Sequence, residues 1–359
     1  MIKNIETCTP QDALKFIYQK TMGNGHLLSN ANNCIASLEK ERQSFSKTTD
    51  IPFTFLGNGF CRLHLNNLQV NELSNSTLYN MMTYSQKFFT PNKLEFIKHI
   101  DWLKEQSVQS NLDFSLNELQ EFLSKYNLER CPPFSHSEKY KQLVNPSYRV
   151  VLSDFGQFLP FIVEIEKKVL SQQPIIIVID GDCGGGKSTF ASHLTALYNA
   201  QIIQMDSFFL PPNLRTENRL LLSGGNIDYK RFIEQVLNPL CKGQSTNINY
   251  QQYNCKTGQY IAQELPFSNV IIIEGSYALH PKFLPYYNKL NTLTCFIKVS
   301  LENQHKRLQK RNPSLFPQFI EKWIPMEKQY HQAYSISENV NFLLYSRSWE
   351  SNKGDLFYV

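Results

Sequence analysis

The sequence predicts an α/β fold, with a parallel sheet flanked by helices, preceded by a mostly helical domain with a small β element. The chain has 359 residues. Because one compact core covers roughly 100–200 residues, two domains are expected. Short β-branched runs alternate with helical stretches from Ile175 onward, as in a parallel sheet covered by helices. The first half shows mainly helical periodicity. We therefore assign residues 1–150 to the helical domain and residues 155–359 to the α/β domain.

Five short apolar runs are the candidate strands of the second domain. Their length and their Val and Ile content favour strands over buried helices. They are Ile175–Asp180, Ala200–Met205, Val270–Glu274, Thr292–Val299 and Val340–Leu344. The join between the domains is expected near Pro146–Asp154, and a helix over Phe155–Leu170 should lead into the first strand.

The first domain contains three helical patterns, a capped fourth helix and one hairpin. The three patterns are Gln11–Lys20, Leu73–Phe89 and Asn92–Glu105. Ser115 and Glu118 have the spacing of a capping box, so a fourth helix is predicted from there to about Tyr126. A hairpin is predicted where Phe53–Leu56 and Phe60–Leu65 flank a Gly-Asn-Gly turn.

The amino-acid composition of the chain indicates which classes of partner and which cellular compartment to expect. The net charge is +5, but the chain lacks blocks of Lys and Arg, so no nucleic-acid partner is predicted. The eight cysteines form no C-x-x-C pair, which argues against a zinc site and for reduced thiols. The amino terminus lacks the apolar region of a signal peptide, and no apolar run reaches the roughly 20 residues of a bilayer span. We predict a cytoplasmic protein that does not bind membranes.

A glycine-rich segment carries the strongest chemical signal. It matches G-x-x-x-x-G-K-[ST], follows the strand Ile175–Asp180 and precedes a helix-compatible segment, Thr189–Tyr198. In such a loop successive N–H groups and the positive end of the helix face phosphate oxygens. We predict that Lys187 reaches the β- and γ-phosphates of ATP and that the Ser188 hydroxyl ligates Mg²⁺. The predicted ATP-binding residues are Gly181, Asp182, Cys183, Gly184, Gly185, Gly186, Lys187, Ser188 and Thr189.

Further motifs follow this loop in a recognisable order. They are Gln204-Met205-Asp206-Ser207-Phe208-Phe209, Asn226-Ile227-Asp228, Tyr253 and Ile271-Ile272-Ile273-Glu274-Gly275. With the loop, this order resembles uridine kinase and its phosphoribulokinase relatives among the P-loop kinases, from about Ile175 to Leu344. The resemblance implies transfer of the γ-phosphate of ATP to a hydroxyl of a small molecule, most simply a nucleoside or another ribose-like compound. The first domain resembles only uncharacterised regions fused to such kinases.

The resemblance implies roles for two carboxylates. Asp206 matches the catalytic base of that family, which accepts the proton of the acceptor hydroxyl. Asp is also a favoured helix N-cap, so a purely structural role is the alternative. Glu274 ends the third candidate strand, where this class of enzyme holds Mg²⁺ or its waters.

Four further residues match substrate and lid positions of the family. Asp228 matches a ribose-binding position and Tyr253 a substrate-binding tyrosine, although a helix start and a core position would explain them as well. Arg307 and Arg311 lie four apart, as lid arginines do, although a solvated basic face has the same pattern. The aromatic residue and the histidine that follow the family's tyrosine are missing after Tyr253, and no further arginines follow Arg311 closely. Kinase chemistry is therefore predicted more firmly than specificity for uridine.

Two other functional classes remain open. A regulatory protein that senses a nucleotide would need the same loop, with the first domain as its output module. A GTPase is suggested by Asn352-Lys353-Gly354-Asp355, which fits N-K-x-D but does not end a buried strand. The polar clusters Gly23–His26, Ser135–Glu138 and Tyr148-Arg149 are candidates for a site in the first domain, without metal-ligand spacing. The predicted partner is a small-molecule phosphate acceptor, and a homo-oligomer is compatible with the sequence.

Overall fold

The structure is a computed structural model that describes residues 9–23, 25, 28, 30–171, 173–243 and 247–346. These residues form two compact units that divide between Val163 and Glu164. The division falls within a helix and lies beyond the predicted join at residues 146–154. The N-K-x-D sequence at residues 352–355, and Asn24 and His26 of the first polar cluster, lie outside the described residues.

The first unit combines helices with a small sheet. Its helices are α1 (Pro10–Thr21), α2 (Ala31–Ser44), α3 (Leu68–Asn71), α4 (Asn75–Gln86), α5 (Lys93–Val108), α6 (Leu116–Lys125), α7 (Glu138–Val144), α8 (Ser153–Gln157) and α9 (Leu159–Leu170), the last of which crosses the division. The predicted capping box is present, because the Ser115 and Glu118 side chains each accept a hydrogen bond from the other residue's backbone N–H.

The sheet of the first unit has three antiparallel strands in the order β1-β2-β3. They are β1 (Phe53–Gly57), β2 (Phe60–His64) and β3 (Tyr148–Leu152). The first two form the predicted hairpin, with Phe55 opposite Cys61. β3 was not predicted, because it pairs with β2 across more than 80 intervening residues and not through a short hairpin turn. Helix α2 was also missed, since Leu38 is its one buried residue and its sequence lacks an apolar stripe.

In the residues that the structure describes, the second unit contains seven strands and several helices. Its strands are β4 (Ile175–Gly181), β5 (Gln201–Gln204), β6 (Ile248–Asn254), β7 (Gln259–Leu265), β8 (Val270–Glu274), β9 (Thr292–Val299) and β10 (Phe342–Ser346). Its helices are α10 (Lys187–Tyr198), α11 (Glu217–Leu220), α12 (Tyr229–Phe232), α13 (Asn238–Cys241), α14 (Leu284–Tyr287), α15 (Leu301–Arg311), α16 (Phe316–Gln318) and α17 (Ile324–Ala333). A π turn at Ile233–Leu237 joins α12 to α13, and another at Phe319–Trp323 precedes α17.

The α/β prediction is confirmed. Five strands form a sheet in the order β10-β9-β4-β8-β5, and every neighbouring pair is parallel. Helices flank this sheet, and β4 and β8 are buried along their whole length. β4 is central, and the chain leaves it for β5 on one side before crossing to β9 on the other. Ligands of such sheets bind outside the carboxyl ends of the strands at this crossover.

The β6–β7 hairpin was not predicted. Ile248 and Tyr250 are buried on β6 while Asn249 and Gln251 are exposed, an alternation that is detectable in the sequence. Of the described segments, no helix combines the length and the apolar character needed to cross a bilayer. The cytoplasmic location stays a prediction.

Candidate functional site

The phosphate-binding loop begins where β4 meets its neighbour β9. Gly181 has a φ of +142°, and a Cβ atom there would lie 2.3 Å from the Ile297 carbonyl oxygen. No side chain can occupy this position without moving the β9 backbone. Gly186 has a φ of +100° and is the N-cap of α10. The two glycines therefore set the approach of the loop to the sheet and its entry into the helix.

Two N–H groups of the loop donate to protein oxygens, and two others do not. The N–H of Gly185 donates to the Asp182 carbonyl oxygen at 2.9 Å, and that of Cys183 donates to the Glu327 carboxylate at 2.9 Å. Those of Gly184 and Gly186 have no hydrogen-bond acceptor among the described residues. With the amino-terminal end of α10 they form a cradle for an anion.

Lys187 is held over this cradle. Its Nζ donates to the carbonyl oxygens of Gly181 at 2.7 Å and Asp182 at 3.1 Å, and its side chain is buried. Its positive charge acts on the carboxylates of Asp206 and Glu274, where it opposes the effect of burial on their pKa values. This ammonium group is therefore positioned to neutralise a bound phosphate chain.

Ser188 and Glu274 form a pair of oxygen ligands beside the loop. The Ser188 hydroxyl lies 3.1 Å from both carboxylate oxygens of Glu274. Burial raises the pKa of Glu274, while Lys187 and the hydrogen bond from Ser188 lower it. In the described part of the chain, no cluster of three or more His, Cys, Asp and Glu side chains is able to hold a metal. The pair fits Mg²⁺, which takes few protein oxygens and completes its shell with phosphate and water.

Asp206 lies on the 3₁₀ turn Met205–Phe208 that follows β5. The N-cap of this turn is Gln204, and no side chain caps it, so Asp206 does not serve as the cap. Among the described residues, its carboxylate has no hydrogen-bond partner. The side chain is exposed to solvent in the cavity above the loop, which it lines. Desolvation by the surrounding cavity wall raises the pKa of Asp206, against the opposing effects of Lys187 and Arg311.

A cavity of about 440 Å³ joins these groups. It is lined by six of the nine predicted ATP-binding residues and by both Asp206 and Glu274. Four aromatic side chains form much of the remaining wall, namely Phe209, Tyr277, Phe319 and Trp323. A cavity of this size and mixed polarity accommodates a small organic molecule beside a phosphate chain.

Comparison with known proteins gives the following likenesses. No family model matches the chain. Three solved P-loop kinases are each similar to about half of it. A possible uridine kinase from Bacillus stearothermophilus is 16% identical, with 50% of this chain and 94% of that chain covered and a TM-score of 0.38. A kinase assigned to a fructose transport system of Silicibacter sp. TM1040 is 21% identical, with coverages of 48% and 87% and a TM-score of 0.32.

The third of these structures is shikimate kinase from Acinetobacter baumannii, bound to shikimate. This kinase is 16% identical to the present chain, with 53% of this chain and 89% of that chain covered and a TM-score of 0.28. At such values, function has to be argued from the residues of the site itself.

The predicted substrate residues Asp228 and Tyr253 are not among the residues that line the cavity. Asp228 caps α12 by accepting the Arg231 N–H at 3.1 Å, and it pairs with the Arg231 guanidinium at 3.1 Å. Tyr253 is buried on β6, where its ring packs 5.2 Å from that of Tyr260. Their proposed contacts with substrate stay predictions.

The two predicted lid arginines both lie on α15 but have different surroundings. The Arg307 guanidinium donates to the Gly184 carbonyl oxygen at 3.1 Å and to the Ser346 hydroxyl at 2.8 Å. Arg307 therefore braces the phosphate loop. Arg311 lines the cavity, and its charge favours the ionised form of Asp206.

Two loop residues and the preceding Asp180 serve mainly to hold the loop. Asp180 is fully buried and accepts hydrogen bonds from the Gly181 N–H, the Leu279 N–H and the Tyr330 hydroxyl at 2.7–3.0 Å. The Asp182 carboxylate accepts the Val299 N–H at 3.0 Å. Burial raises the pKa of the Cys183 thiol, which keeps it protonated and argues against a nucleophilic role.

The sequence analysis did not predict Glu327 or Ser276 as site residues, and Asn226 lies in a motif in which only Asp228 was given a role. The Glu327 carboxylate on α17 accepts the Cys183 N–H and, through its other oxygen, the Ser276 hydroxyl. Asn226 lines the same cavity, and its Oδ1 is buried without a hydrogen-bond partner in the described residues. Glu327 follows Lys187 by 140 positions and lies in no recognisable motif, so only the packing of α17 brings it to the loop.

The polar cluster Ser135–Glu138 belongs to a buried network in the first unit. The His136 ring lies between the Asp12 carboxylate, 3.0 Å from Nδ1, and the Tyr148 hydroxyl, 2.5 Å from Nε2. Gln19 links Tyr148 to the buried Arg62. This network ties α1 to the sheet, and its described contacts account for these polar groups within the fold.

Proposed function

We propose that the second unit is an ATP-dependent kinase that transfers the γ-phosphate to a hydroxyl of a small molecule, a nucleoside or another ribose-like compound. The observation that carries the proposal is the Asp206 carboxylate, which has no hydrogen-bond partner within the described part of the chain and lines the same cavity as Lys187 and the Ser188–Glu274 pair. A phosphate cradle alone would serve a sensor equally well. A free carboxylate beside it supplies the group that a phosphoryl acceptor requires.

In this proposal each residue has a separate task. The free N–H groups of Gly184 and Gly186 hold the phosphate chain, and Lys187 neutralises its charge. Ser188 and Glu274 would hold Mg²⁺, which when bound withdraws charge from the β- and γ-phosphates. Arg311 also lines the cavity, where a guanidinium can stabilise charge on the transferred group.

Asp206 orients the acceptor and takes its proton. A new bond forms between the acceptor oxygen and the γ-phosphorus while the bond to the β,γ-bridging oxygen breaks, and ADP leaves. The hydroxyl proton passes to a carboxylate oxygen of Asp206, which must be ionised at the start. The aromatic wall of Phe209, Phe319 and Trp323 excludes water from the transferred group.

A panel of nucleosides, free sugars, ribosides and sugar phosphates tests the proposal through acceptor-dependent release of ADP from Mg·ATP. At least one hydroxyl compound should accelerate ADP release well above the rate with water alone. The missing aromatic residue and histidine after Tyr253 predict little preference for uridine over other ribosides. Tight ATP binding without acceleration by any acceptor would favour the sensing function instead.

A further inference from the structure

The carboxylate of Glu327 joins two segments of the candidate site. One of its oxygens accepts the Cys183 N–H of the phosphate loop at 2.9 Å, and the other accepts the Ser276 hydroxyl. Ser276 lies two residues beyond Glu274, the last residue of β8. Because Glu327 is only 6% exposed, water competes little for either hydrogen bond. A single buried side chain therefore ties the loop to the segment that follows β8.

The packing of α17 sets the position of Glu327. Tyr330, three residues later, is fully buried and donates its hydroxyl to the Asp180 carboxylate at 2.8 Å. The ring of His331, four residues after Glu327, packs edge-on against the Phe296 ring of β9 with centroids 4.7 Å apart. Residues three and four positions apart share one face of a helix, so these contacts all lie on one face of α17. Glu327 therefore has little freedom to move away from the loop.

The loop residue that Glu327 holds is also anchored on its other side. The Cys183 carbonyl oxygen accepts a hydrogen bond from the Gln304 amide of α15 at 2.9 Å, and Gln304 is buried. Cys183 is thus held by two helices, and the contact with Glu327 continues to Ser276. Loss of the Glu327 carboxylate would leave Cys183 attached to α15 but would break its connection to the end of β8.

The contact between Ser188 and Glu274 connects the same two segments within the proposed metal site. Metal ligation would use the same oxygens and would therefore compete with this contact. The hydrogen bonds of Glu327 involve other atoms. They can hold the two segments at a fixed separation while the Ser188 and Glu274 oxygens turn towards a metal.

We propose that Glu327 is a positioning residue for the metal site. Through its two hydrogen bonds it fixes the separation of the phosphate loop from the end of β8, and hence of the Ser188 and Glu274 oxygens. The inference rests on the proposed function, in which these oxygens and the phosphates of ATP share Mg²⁺. Because Mg²⁺ demands near-ideal octahedral geometry, a small change in the separation of two ligands weakens its binding.

Calorimetry with a non-hydrolysable ATP analogue tests this role in the full chain. The affinity with Mg²⁺ divided by the affinity without it gives the metal enhancement, which is the strengthening of nucleotide binding by the metal. We expect Glu327→Ala to reduce the metal enhancement by about 10-fold, the lower end for residues that support metal ligands. The affinity without Mg²⁺ should stay within about 3-fold of wild type. A role in stability alone would lower the melting temperature and leave the metal enhancement unchanged.

Glu327→Gln separates geometry from charge. The glutamine carbonyl oxygen can accept the Cys183 N–H while its amide donates to the Ser276 hydroxyl oxygen, so both contacts persist without the charge. This variant should keep the metal enhancement within about 3-fold of wild type. Glu321→Ala is the matched control for Glu327→Ala, because Glu321 is exposed six residues earlier on the same helical segment.

Ser276→Ala breaks the connection at its other end. It should reduce the metal enhancement by about 3-fold, as expected for the loss of one hydrogen bond. Combined with Glu327→Ala it should cause no further loss, because both changes interrupt the same connection. If Glu327→Ala folds poorly, Ser276→Ala and Glu327→Gln decide the question.

An unchanged metal enhancement in both Glu327→Ala and Ser276→Ala overturns the positioning role. An equal loss in Glu327→Gln and Glu327→Ala overturns it too, since the charge and not the geometry would then matter. If the wild-type protein binds the analogue more tightly with Mg²⁺ but releases no ADP with any acceptor, the kinase function is contradicted, while a reduced enhancement in Glu327→Ala still supports the positioning role. A wild-type protein that does not bind the analogue overturns both.

Discussion

The Ser188 hydroxyl lies 3.1 Å from each carboxylate oxygen of Glu274. One residue is in the first turn of α10 and the other ends β8, so the contact joins the phosphate loop to the adjacent strand. From the sequence, Ser188 and Glu274 were each predicted separately to contact Mg²⁺. Because the two residues are in contact, they could bind the same Mg²⁺ ion. The proposal that they do so can be tested by measuring the Mg²⁺ dependence of turnover.

Glu274→Gln should raise the Mg²⁺ concentration needed for half-maximal turnover by about 10-fold or more, because an amide oxygen replaces an anionic ligand. Turnover measured against Mg²⁺ at saturating ATP checks this. Glu302→Gln, at an exposed position on α15, is the control. An unchanged Mg²⁺ requirement would remove Glu274 from the metal site.

Lys187→Ala should abolish turnover while leaving the fold intact. In the proposed function the charge of Lys187 stabilises negative charge that develops on the phosphates in the transition state, and among the described residues no other cation is hydrogen-bonded to the Gly181 carbonyl oxygen. Acceptor-dependent ADP release and the melting temperature are measured together, with the exposed Lys328→Ala as control. Near-normal activity in Lys187→Ala would contradict the assignment of the loop.

Asp206→Asn should lower kcat and kcat/KM together by about 10²–10⁴, the range for loss of a general base. Affinity for ATP should change little, because Lys187 and the loop N–H groups are untouched. Since Asp206 caps no helix in the structure, the melting temperature should also change little. Retained turnover would exclude Asp206 as the base.

The pH dependence of the wild-type enzyme provides a second test of Asp206. Desolvation by the cavity wall raises the pKa of this carboxyl group above its usual value of 3.8. A base must be ionised, so kcat/KM should fall as the pH decreases through this raised pKa. The residual activity of Asp206→Asn should lack that acidic limb. If kcat/KM fell at the same acidic pH in both proteins, the fall would be due to a group other than Asp206.

Asp228 should behave as a structural residue. Asp228→Asn keeps the cap of α12, since Asn and Asp cap equally well, and should change the acceptor kcat/KM by less than about 3-fold. Asp228→Ala removes both the cap and the partner of Arg231 and should cost about 0.5–2 kcal/mol in the free energy of unfolding. A tenfold rise in acceptor KM for Asp228→Asn would instead support the ribose contact that the resemblance implied.

Asp12 should stabilise the first unit in a pH-dependent manner. Burial would raise its pKa, but hydrogen bonds from His136, Ser137 and Thr9 together lower it to about 2 from 3.8. Its contribution is therefore complete above about pH 4 and is lost as the pH falls towards 2. Asp12→Asn should melt lower than wild type at pH 6, with a difference that shrinks at pH 3. A difference independent of pH would contradict this linkage.

The sequence by itself determined the α/β fold and the phosphate loop, because both depend on local order. Buried β-branched runs of strand length specify strands wherever they lie, and Gly181-to-Ser188 carries its own backbone requirements in consecutive residues. The capping box at Ser115 and the hairpin before Phe60 were predictable for the same reason. Each is completed by residues within a few positions of one another.

Only the tertiary structure decided which side chains meet at the cavity. Glu327 reaches the Cys183 N–H from 144 residues away, and β3 pairs with β2 across more than 80 intervening residues. The Asp228 carboxylate pairs with Arg231 three positions later, a contact that its motif did not indicate. Such contacts depend on the packing of whole helices and strands. Many side chains that are distant in sequence could reach the same partner, and local sequence patterns do not indicate which of them does.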